Sequence, residues 1–294
     1  MRAYFELAKP GIVRMVLVTT AVGYAAAHAA SGGVASPFLT LLWCVLGTAL
    51  ACAGANGLNQ AIEWKLDAQM ERTRARPVPS GRLSPRHAGV ASGFAALLGA
   101  IVLGLFVNVS AAGIAVVTTL LYVLAYTPAK TRTTFSTLIG TLPGALPALI
   151  GWVGASPDHV AAMWQLGGWS IVLIVVAWQM PHFMAIGWKY REQYRDAGYL
   201  ILPVVDERGT RTAACALRWS LVLVPLTLLP VLFVGAPVGV LYGLSSTLLS
   251  VLLLVFALRL MSDRSALAAK NLFLASIAYL PLVLGALVID ALLV

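Results

Sequence analysis

Charged residues are scarce in this sequence, and their scarcity excludes an ordinary soluble domain. Asp, Glu, Lys and Arg make up only 11% of the 294 residues, whereas hydrophobic residues make up 60%. Soluble globular domains are roughly half apolar and about one quarter charged. The mean hydropathy of +0.88 therefore indicates a chain that lies mostly in lipid.

Cysteine is also rare, and its spacing excludes the usual cysteine-based sites. The three cysteines, Cys44, Cys52 and Cys215, form no C-x-x-C pair and no Cys/His group with zinc spacing. A disulfide framework or a structural zinc site is not predicted from such a pattern. We interpret all three as small apolar residues that fill space between helices.

Nine apolar stretches are long enough to cross a bilayer, which takes roughly 20 residues of helix. Helices are expected because a segment in lipid must satisfy its own backbone hydrogen bonds. The sequence therefore predicts an all-α integral membrane protein of about nine transmembrane helices, folded as one domain over residues 1–294. The predicted spans cover residues 12–30, 38–62, 88–107, 110–127, 137–155, 165–188, 213–233, 237–258 and 271–293.

The positive charge falls in alternate connections between these spans. The formal net charge is +9, yet four connections contain neither Lys nor Arg, and Asp158 is their only formal charge. This distribution follows the positive-inside rule and argues against a nucleic-acid-binding surface. It predicts a cytoplasmic membrane protein with its N-terminus in the cytoplasm and its C-terminus outside. The uncharged connections are 28–37, 107–111, 153–164 and 234–238.

A set of oxygen-bearing side chains recurs at the end of the second span. Asn59, Glu63 and Asp67 are spaced i, i+4, i+8 and so share one face of a helix. Oxygen ligands suit Mg²⁺, which commonly bridges one or two carboxylates to phosphates. Three arginines follow within residues 71–77, and arginine binds phosphate bidentately. The segment predicts a diphosphate site, and the alternative is a positive-inside loop with incidental carboxylates.

A second cluster lies at the end of the sixth span. His182 is within an apolar stretch, where polar side chains are costly and mostly functional, although a hydrogen-bonded packing role is the alternative. The polar segments 63–87 and 189–212 both open with acidic residues at helical spacing and continue with basic residues. Because both lie on the same side of the membrane, they predict one site built from two halves.

Five segments together resemble the UbiA-type intramembrane prenyltransferases, in the branch that modifies haem. The acidic motif indicates the superfamily, whereas Met70–Thr73 and Gln179–His182 are specific to the branch. The resemblance covers essentially the whole chain. Its segments are Leu7–Gly11, Asn59–Asp67 with Met70–Pro77, Tyr126–Thr133, Thr137–Ala145, and Trp178–Phe183 leading to Leu202–Val205.

The resemblance implies a bundle of nine helices around a central cavity, with Mg²⁺ as cofactor. The reaction it implies transfers a farnesyl group from farnesyl diphosphate to the 2-vinyl group of haem B, with addition of water. Membrane lipid, haem B and farnesyl diphosphate are the implied partners, with haem A synthase or a terminal oxidase as assembly partners. Two alternatives stay open: a UbiA-type enzyme that acts on a quinone precursor, and a non-catalytic haem-binding membrane protein.

The resemblance also implies roles for individual residues. It implies catalytic roles for Asn59, Glu63, Asp67, Glu192 and His182, and His182 would serve the haem end. Gln193 replaces a carboxylate of the family pattern; either Asp196 compensates for it or Lys65 pairs with a carboxylate. The implied metal ligands are Asn59, Glu63, Asp67, Glu192 and Asp196. The implied diphosphate contacts are Arg72, Arg76, Lys130, Arg132, Lys189 and Arg191. The aromatic residues expected to face the carbocation are Tyr122, Tyr126, Trp178 and Phe183.

The charge alternation generates a direct test of topology. A reporter fused after Arg82 or Arg208 is expected to lie in the cytoplasm, and one at Ser156 outside, because Lys and Arg are retained on the cytoplasmic side. Fusions to alkaline phosphatase and to a fluorescent protein measure the two locations. An external location for the Arg82 fusion would contradict the predicted orientation.

Overall fold

The computed structural model describes residues 2–32, 38–234 and 238–293, and within these ranges nine helices are long and apolar enough to span a bilayer. The predicted number of spans is thus confirmed. Parts of the uncharged connections 28–37 and 234–238, and the first residue of the span predicted at 237–258, lie outside the described residues. The spanning helices are α1 (Pro10–Ala30), α2 (Phe38–Gln69), α3 (Pro85–Phe106), α4 (Val109–Ala129), α5 (Ser136–Ala155), α6 (Leu166–Lys189), α7 (Thr210–Leu226, continued by Leu229–Phe233), α8 (Val240–Ser262) and α9 (Ala266–Leu293).

Local sequence signals set several of the helix boundaries. The Ser84 side chain accepts a hydrogen bond from the His87 amide, and Pro85 occupies the first turn of α3. Asn108 caps α4 in the same way, since its Oδ1 accepts from Ala111 N at 2.8 Å. Short helices lie in the connections and were not predicted: Arg2–Leu7, His159–Ala162, Arg191–Asp196 and Leu202–Val205.

The basic connections meet at one end of the bundle, which we call the charged end. Arg82 pairs with Glu6 at 2.6 Å, which ties the α2–α3 connection to the N-terminal segment. The Leu200 amide donates to the Lys130 carbonyl at 2.8 Å, which joins the connections that follow α6 and α4. The charged end comprises residues 2–9, 70–84, 130–135, 190–209 and 263–265.

The opposite end is held by polar contacts that involve few formal charges. Asn108 Nδ2 donates to the Val153 carbonyl at 3.1 Å, and Ser110 Oγ lies 3.0 Å from His159 Nδ1. The Asp290 carboxylate accepts from the amides of Gly239 and Tyr242 at 2.7 and 3.0 Å, and so caps α8 from α9. The two Asp290 bonds satisfy backbone amides at the start of α8 that have no intrahelical partner.

Helix α5 forms the centre of the bundle, because it is apolar on all sides and every residue from Ala145 to Ala155 is buried. It approaches α1 so closely that a Cβ on Gly23 would overlap the Ala148 carbonyl, and a Cβ on Gly151 would overlap the Thr20 carbonyl. Small residues at helix contacts allow such close packing in membranes. The contact fixes α1, whose first residues enter the site described below.

This contact predicts opposite effects for one substitution at two places. Gly151→Ala should lower the free energy of unfolding by about 1–3 kcal/mol, because the new methyl group collides with backbone. Gly113→Ala is the matched control in α4, where nothing lies within 4 Å of the added carbon. There the exchange should raise stability by roughly 0.5–1 kcal/mol, since alanine favours helix. Thermal unfolding in detergent measures both, and equal shifts would contradict the predicted collision.

Candidate active site

A polar cavity of about 510 Å³ lies beneath the loops of the charged end, between α1, α2, α4, α6 and α9. A second, more apolar cavity of about 290 Å³ extends from it toward the middle of the bundle. The two are continuous, because they share the lining residues Ile12, Met15, Tyr122, Tyr126, His182 and Phe183.

The predicted oxygen ligands of α2 all line the polar cavity. Asn59, Glu63 and Asp67 are 1%, 4% and 2% exposed, so their side chains face inward along one helix face, as their spacing predicts. Asn59 Nδ2 donates to Glu63 Oε2 at 2.8 Å and to Thr127 Oγ1 at 3.1 Å, which fixes the orientation of the amide. We call these three residues the α2 oxygen face.

Each member of the α2 oxygen face is bound to a cation from a different segment. Lys9 Nζ donates to Asn59 Oδ1 at 2.8 Å. Lys130 Nζ donates to Glu63 Oε2 at 2.8 Å, and Arg76 Nη1 donates to both Asp67 oxygens at 2.8 and 2.7 Å. Charges that leave water are tolerated only when they are paired in this way. The cavity therefore contains three such pairs, spread along about 12 Å of α2.

Lys9 was not predicted as a site residue, and its backbone marks it as unusual. Among the described residues it is the one non-glycine residue in the left-handed region, with φ 54° and ψ 68°. Burial, together with the nearby charges of Arg76 and Lys130, lowers the pKa of Lys9 to about 7. Strained backbone of this kind concentrates at functional sites. In the sequence, Lys9 belongs to the segment Leu7–Gly11 that resembles the family, and its positive charge fits a cytoplasmic N-terminus.

Lys130 reaches the cavity from the end of α4, where the helix widens. Residues Leu121–Tyr126 form a π-helical segment, and the Tyr122 carbonyl accepts both the Thr127 amide and, at 2.8 Å, Thr127 Oγ1. Such segments are frequent at functional sites. Lys130 Nζ lies 4.6 Å from the centroid of the Tyr126 ring. Burial opposes the charged form of Lys130, but Tyr126 and the Glu63 carboxylate outweigh it, and the pKa is raised.

The polar segment 189–212 contributes Tyr194 to the cavity lining. Tyr194 lines the polar cavity and its hydroxyl accepts from Arg72 Nη2 at 2.9 Å, while Gln193 Oε1 accepts from the Arg72 amide at 3.3 Å. Gln193 thus links the two polar segments without a carboxylate. Lys65 lies over the Trp64 ring, 5.7 Å from its centroid, and forms no ion pair with any residue that the structure describes. Arg72 and Arg76 line the cavity with Lys130, and their role as diphosphate contacts stays a prediction.

Several predicted residues lie outside the cavity wall. Glu192 has a side chain 60% exposed, and it pairs with Arg191 and Arg195 at 3.0 and 2.7 Å. Asp196 is exposed as well. Their assignment as metal ligands therefore stays a prediction. The predicted diphosphate contacts Arg132, Lys189 and Arg191 are likewise absent from the cavity lining. Lys189 lies instead over the Tyr190 ring, and Arg191 lies over the Trp188 ring.

His182 occupies the junction between the polar and apolar cavities. Its Nδ1 lies 2.8 Å from Ser276 Oγ in α9, and its ring packs against Trp178, Phe183 and Phe273 at centroid distances of 5.0, 5.6 and 5.0 Å. His182 lies seven residues, or about 10 Å of helix, before Lys189 at the end of α6. It therefore sits deeper than the cations of the charged end.

The α2 oxygen face fits a magnesium ion that is shared with phosphate oxygens. No group of three or more His, Cys, Asp or Glu side chains is arranged to hold a metal within the described ranges, so an all-protein metal site is not present there. Glu63 Oε1 is buried, and although Lys130 Nζ lies 2.8 Å away it makes no hydrogen bond of good geometry. Two carboxylates and an amide oxygen match the partial ligand set that Mg²⁺ takes from proteins.

Comparison with known proteins defines first the class and then the group within it. The family described as "UbiA prenyltransferase family" matches residues 16–278. The chain therefore belongs to the UbiA prenyltransferase family.

The curated relatives within that family carry the name protoheme IX farnesyltransferase. One from Salinibacter ruber is 39% identical over 98% of this chain and 98% of its own length. One from Solibacter usitatus is 36% identical over 99% of both chains, and the mitochondrial protein of Arabidopsis thaliana is 34% identical over 98% of this chain and 64% of its own length.

Solved structures confirm the fold at lower sequence similarity. A structure of digeranylgeranylglyceryl phosphate synthase has a TM-score of 0.77 and 19% identity, with 100% of this chain and 99% of that chain covered. A UbiA homologue from Archaeoglobus fulgidus, bound to GPP and Mg²⁺, has a TM-score of 0.61 and 14% identity, with 97% and 99% covered. At these identities the likeness concerns the arrangement of helices.

The buried ion pairs predict a stability effect that a second substitution reverses. Lys130→Met leaves the Glu63 carboxylate without its cation, and breaking a buried pair costs about 3–5 kcal/mol. The variant should accumulate poorly and unfold at lower temperature. Adding Glu63→Gln removes the unpaired charge and should restore much of the stability. Thermal unfolding of the wild type, the single variant and the double variant measures this, and a double variant less stable than Lys130→Met would contradict the pairing.

Proposed function

We propose that this chain transfers the farnesyl group of farnesyl diphosphate to the 2-vinyl group of protohaem IX, with addition of water, and so makes haem O. The names of its curated relatives support this activity. The observation that carries the proposal is the division of one continuous cavity into a cationic mouth and an apolar interior. A diphosphate suits the mouth, and a long isoprenoid chain suits the interior.

The diphosphate is bound by an exchange of partners at the charged end. Lys9, Arg76 and Lys130 each lie 2.7–2.8 Å from an oxygen of the α2 oxygen face. In the proposed complex their N–H groups turn to the phosphate oxygens. Preorganised cations of this kind stabilise the charge that develops on a leaving group. Arg72, which also lines the cavity, adds a bidentate donor on the side of Tyr194.

Asn59, Glu63 and Asp67 would hold the Mg²⁺ that accompanies the diphosphate. When bound there, the ion neutralises part of the charge on the leaving diphosphate. The exchange of partners frees the α2 oxygen face for this role, because its oxygens are otherwise occupied by Lys9, Lys130 and Arg76. The Archaeoglobus fulgidus homologue bound to GPP and Mg²⁺ supports a metal-dependent site in this fold.

The inner wall of the cavity protects the farnesyl cation that forms when the C–O bond breaks. The Tyr122 and Tyr126 rings lie 5.3 Å apart, and both line the polar and the apolar cavity. Phe183 of α6 lines both cavities as well. Aromatic faces attract a cation, and an apolar wall excludes water that would quench it early. The vinyl group of protohaem IX then supplies the electron pair for the new C–C bond.

The haem end of the cavity is assigned to His182 and its aromatic neighbours. His182 of α6 and Phe273 of α9 line the polar cavity together with the α2 oxygen face. Their depth below the cations leaves the diphosphate to the charged end and the macrocycle to the α6–α9 side. We further propose that the charged end faces the cytoplasm, where farnesyl diphosphate is dissolved. A haem A synthase or terminal oxidase as assembly partner stays a prediction.

The proposed function predicts the loss of activity when the α2 oxygen face is altered. Asp67→Ala should lower haem O formation by at least about a hundredfold, since it removes a metal ligand and unpairs Arg76. EDTA should have the same effect, reversed by Mg²⁺. Membranes supplied with haem B and farnesyl diphosphate are analysed by mass spectrometry of the extracted haem.

The matched control is Glu207→Ala, an exposed carboxylate of the charged end outside the cavity. It should leave the haem O yield unchanged. Full activity of Asp67→Ala at wild-type protein levels would rule out this site. Prenylation of hydroxybenzoate in place of haem B would point to a quinone-precursor enzyme instead.

A further inference from the structure

Gln179 of α6 presents one unpaired acceptor to the apolar cavity. Its Nε2 donates to the carbonyls of Thr141 and Val175 at 2.9 and 3.1 Å, which uses both amide hydrogens. The orientation of the amide is therefore fixed, with Oε1 on the other side. That oxygen lies against Gly144, where a Cβ would overlap it. Gln179 lines the apolar cavity, so Oε1 is an oriented acceptor in its wall.

His182 presents a second acceptor one turn further along the same helix. Ser276 Oγ donates its single hydrogen to the Phe273 carbonyl at 2.6 Å, so toward His182 it can only accept. The neutral imidazole must then carry its hydrogen on Nδ1, which lies 2.8 Å from Ser276 Oγ. Nε2 is left with a lone pair. Among the described residues, the side chains of Gln179 and His182 form only the three hydrogen bonds named above, so no donor occupies Gln179 Oε1 or His182 Nε2.

The two acceptors are close enough to act on one small molecule. Gln179 and His182 are spaced i, i+3, which places their Cβ atoms about 5–6 Å apart on one helix face. Both line the cavity of about 290 Å³, whose other walls include apolar residues such as Val16, Val175 and Leu280. Two acceptors without a donor in an apolar wall suit a molecule that brings two hydrogens, and water is the smallest of these.

We propose that Gln179 Oε1 and His182 Nε2 bind the water that completes the reaction, with His182 as its base and Ser276 as the positioning residue of His182. This proposal rests on the function proposed above. A water that gives both hydrogens to acceptors keeps its lone pairs for an electrophile. The hydroxyls of Tyr122 and Tyr126, unlike the two acceptors, can donate a hydrogen bond to the water. Such a bond would occupy a lone pair of the water oxygen.

The proposed reaction joins the farnesyl group to the vinyl group and then adds the bound water. The C–O bond to diphosphate breaks, and the diphosphate keeps that electron pair. The vinyl π pair then forms the bond to C1 of the farnesyl cation. The carbon next to the porphyrin ring is then cationic. The water oxygen bonds to this carbon, and its proton passes to His182 Nε2 while Nδ1–H stays on Ser276. The imidazolium later releases the proton through the polar cavity to the solvent.

The test follows the fate of the porphyrin-side cation. Without a bound water the cation loses a proton from the adjacent carbon, which gives a prenylated haem lighter than haem O by one water. Gln179→Leu should therefore raise the ratio of the lighter product to haem O at least ~10-fold, while farnesyl diphosphate is still consumed. General bases typically contribute roughly 10²- to 10⁴-fold to such steps. Gln179→Met, of closer shape, provides the same readout if Gln179→Leu does not accumulate.

The matched control is Gln165→Leu, the same exchange at the first turn of α6. Gln165 accepts from Trp152 Nε1 at 2.9 Å and lies about 21 Å of helix from Gln179. It should leave the product ratio unchanged.

Ser276→Ala should shift the product ratio in the same direction as Gln179→Leu and move the acidic limb of the pH profile, because the tautomer is no longer fixed. Ser276→Thr keeps the hydroxyl and should restore haem O. Ser220→Ala, a buried serine in α7 outside the cavity, is its control.

The outcomes separate this inference from the proposed function. If the wild type forms no prenylated haem, the proposed function fails. If the wild type makes haem O and the Gln179 and Ser276 variants also make only haem O, the water site is overturned. A shift of the Soret band of bound haem in His182→Ala, with an unchanged product ratio, would likewise overturn it, since His182 would then be an iron ligand.

Discussion

The structure of the charged end depends on three contacts between buried cations and one face of α2. Lys9, Arg76 and Lys130 come from segments far apart in the chain, and each is bound to a member of the α2 oxygen face. A buried charge is costly unless it is paired, so each contact constrains the segment that provides it. The N-terminal segment, the α2–α3 connection and the end of α4 are held over one cavity for this reason.

The bundle supplies the complementary constraint, which is an apolar interior that remains open. Helix α5 is buried throughout its second half and packs so closely on α1 that Gly151 meets the backbone of α1. On the other side, α6 directs Gln179 and His182 into the apolar cavity. The apolar cavity therefore combines closely packed helices with a few oriented polar groups in its lining.

Sequence reasoning recovered the features that depend on local periodicity and failed where partners come from distant segments. The nine spans and the α2 oxygen face follow from hydropathy and from i, i+4 spacing. The role of Lys9 was missed because its charge also satisfies the positive-inside rule, and its left-handed backbone is invisible in the sequence. The unpaired acceptors of Gln179 and His182 depend on carbonyls and a serine hydroxyl from α5, α6 and α9, which no spacing rule brings together.

The backbone of Lys9 shows how stability and activity pull in different directions at a single position. A lysine at φ 54° immediately before a proline costs about 1–3 kcal/mol relative to a relaxed conformation. Glycine would adopt this conformation freely, so selection for a stable bundle alone would place glycine there. Glycine carries no amine for Asn59 or for a phosphate. The lysine at this position therefore lowers the free energy of unfolding at the start of α1, and in return it keeps a cation over the cavity.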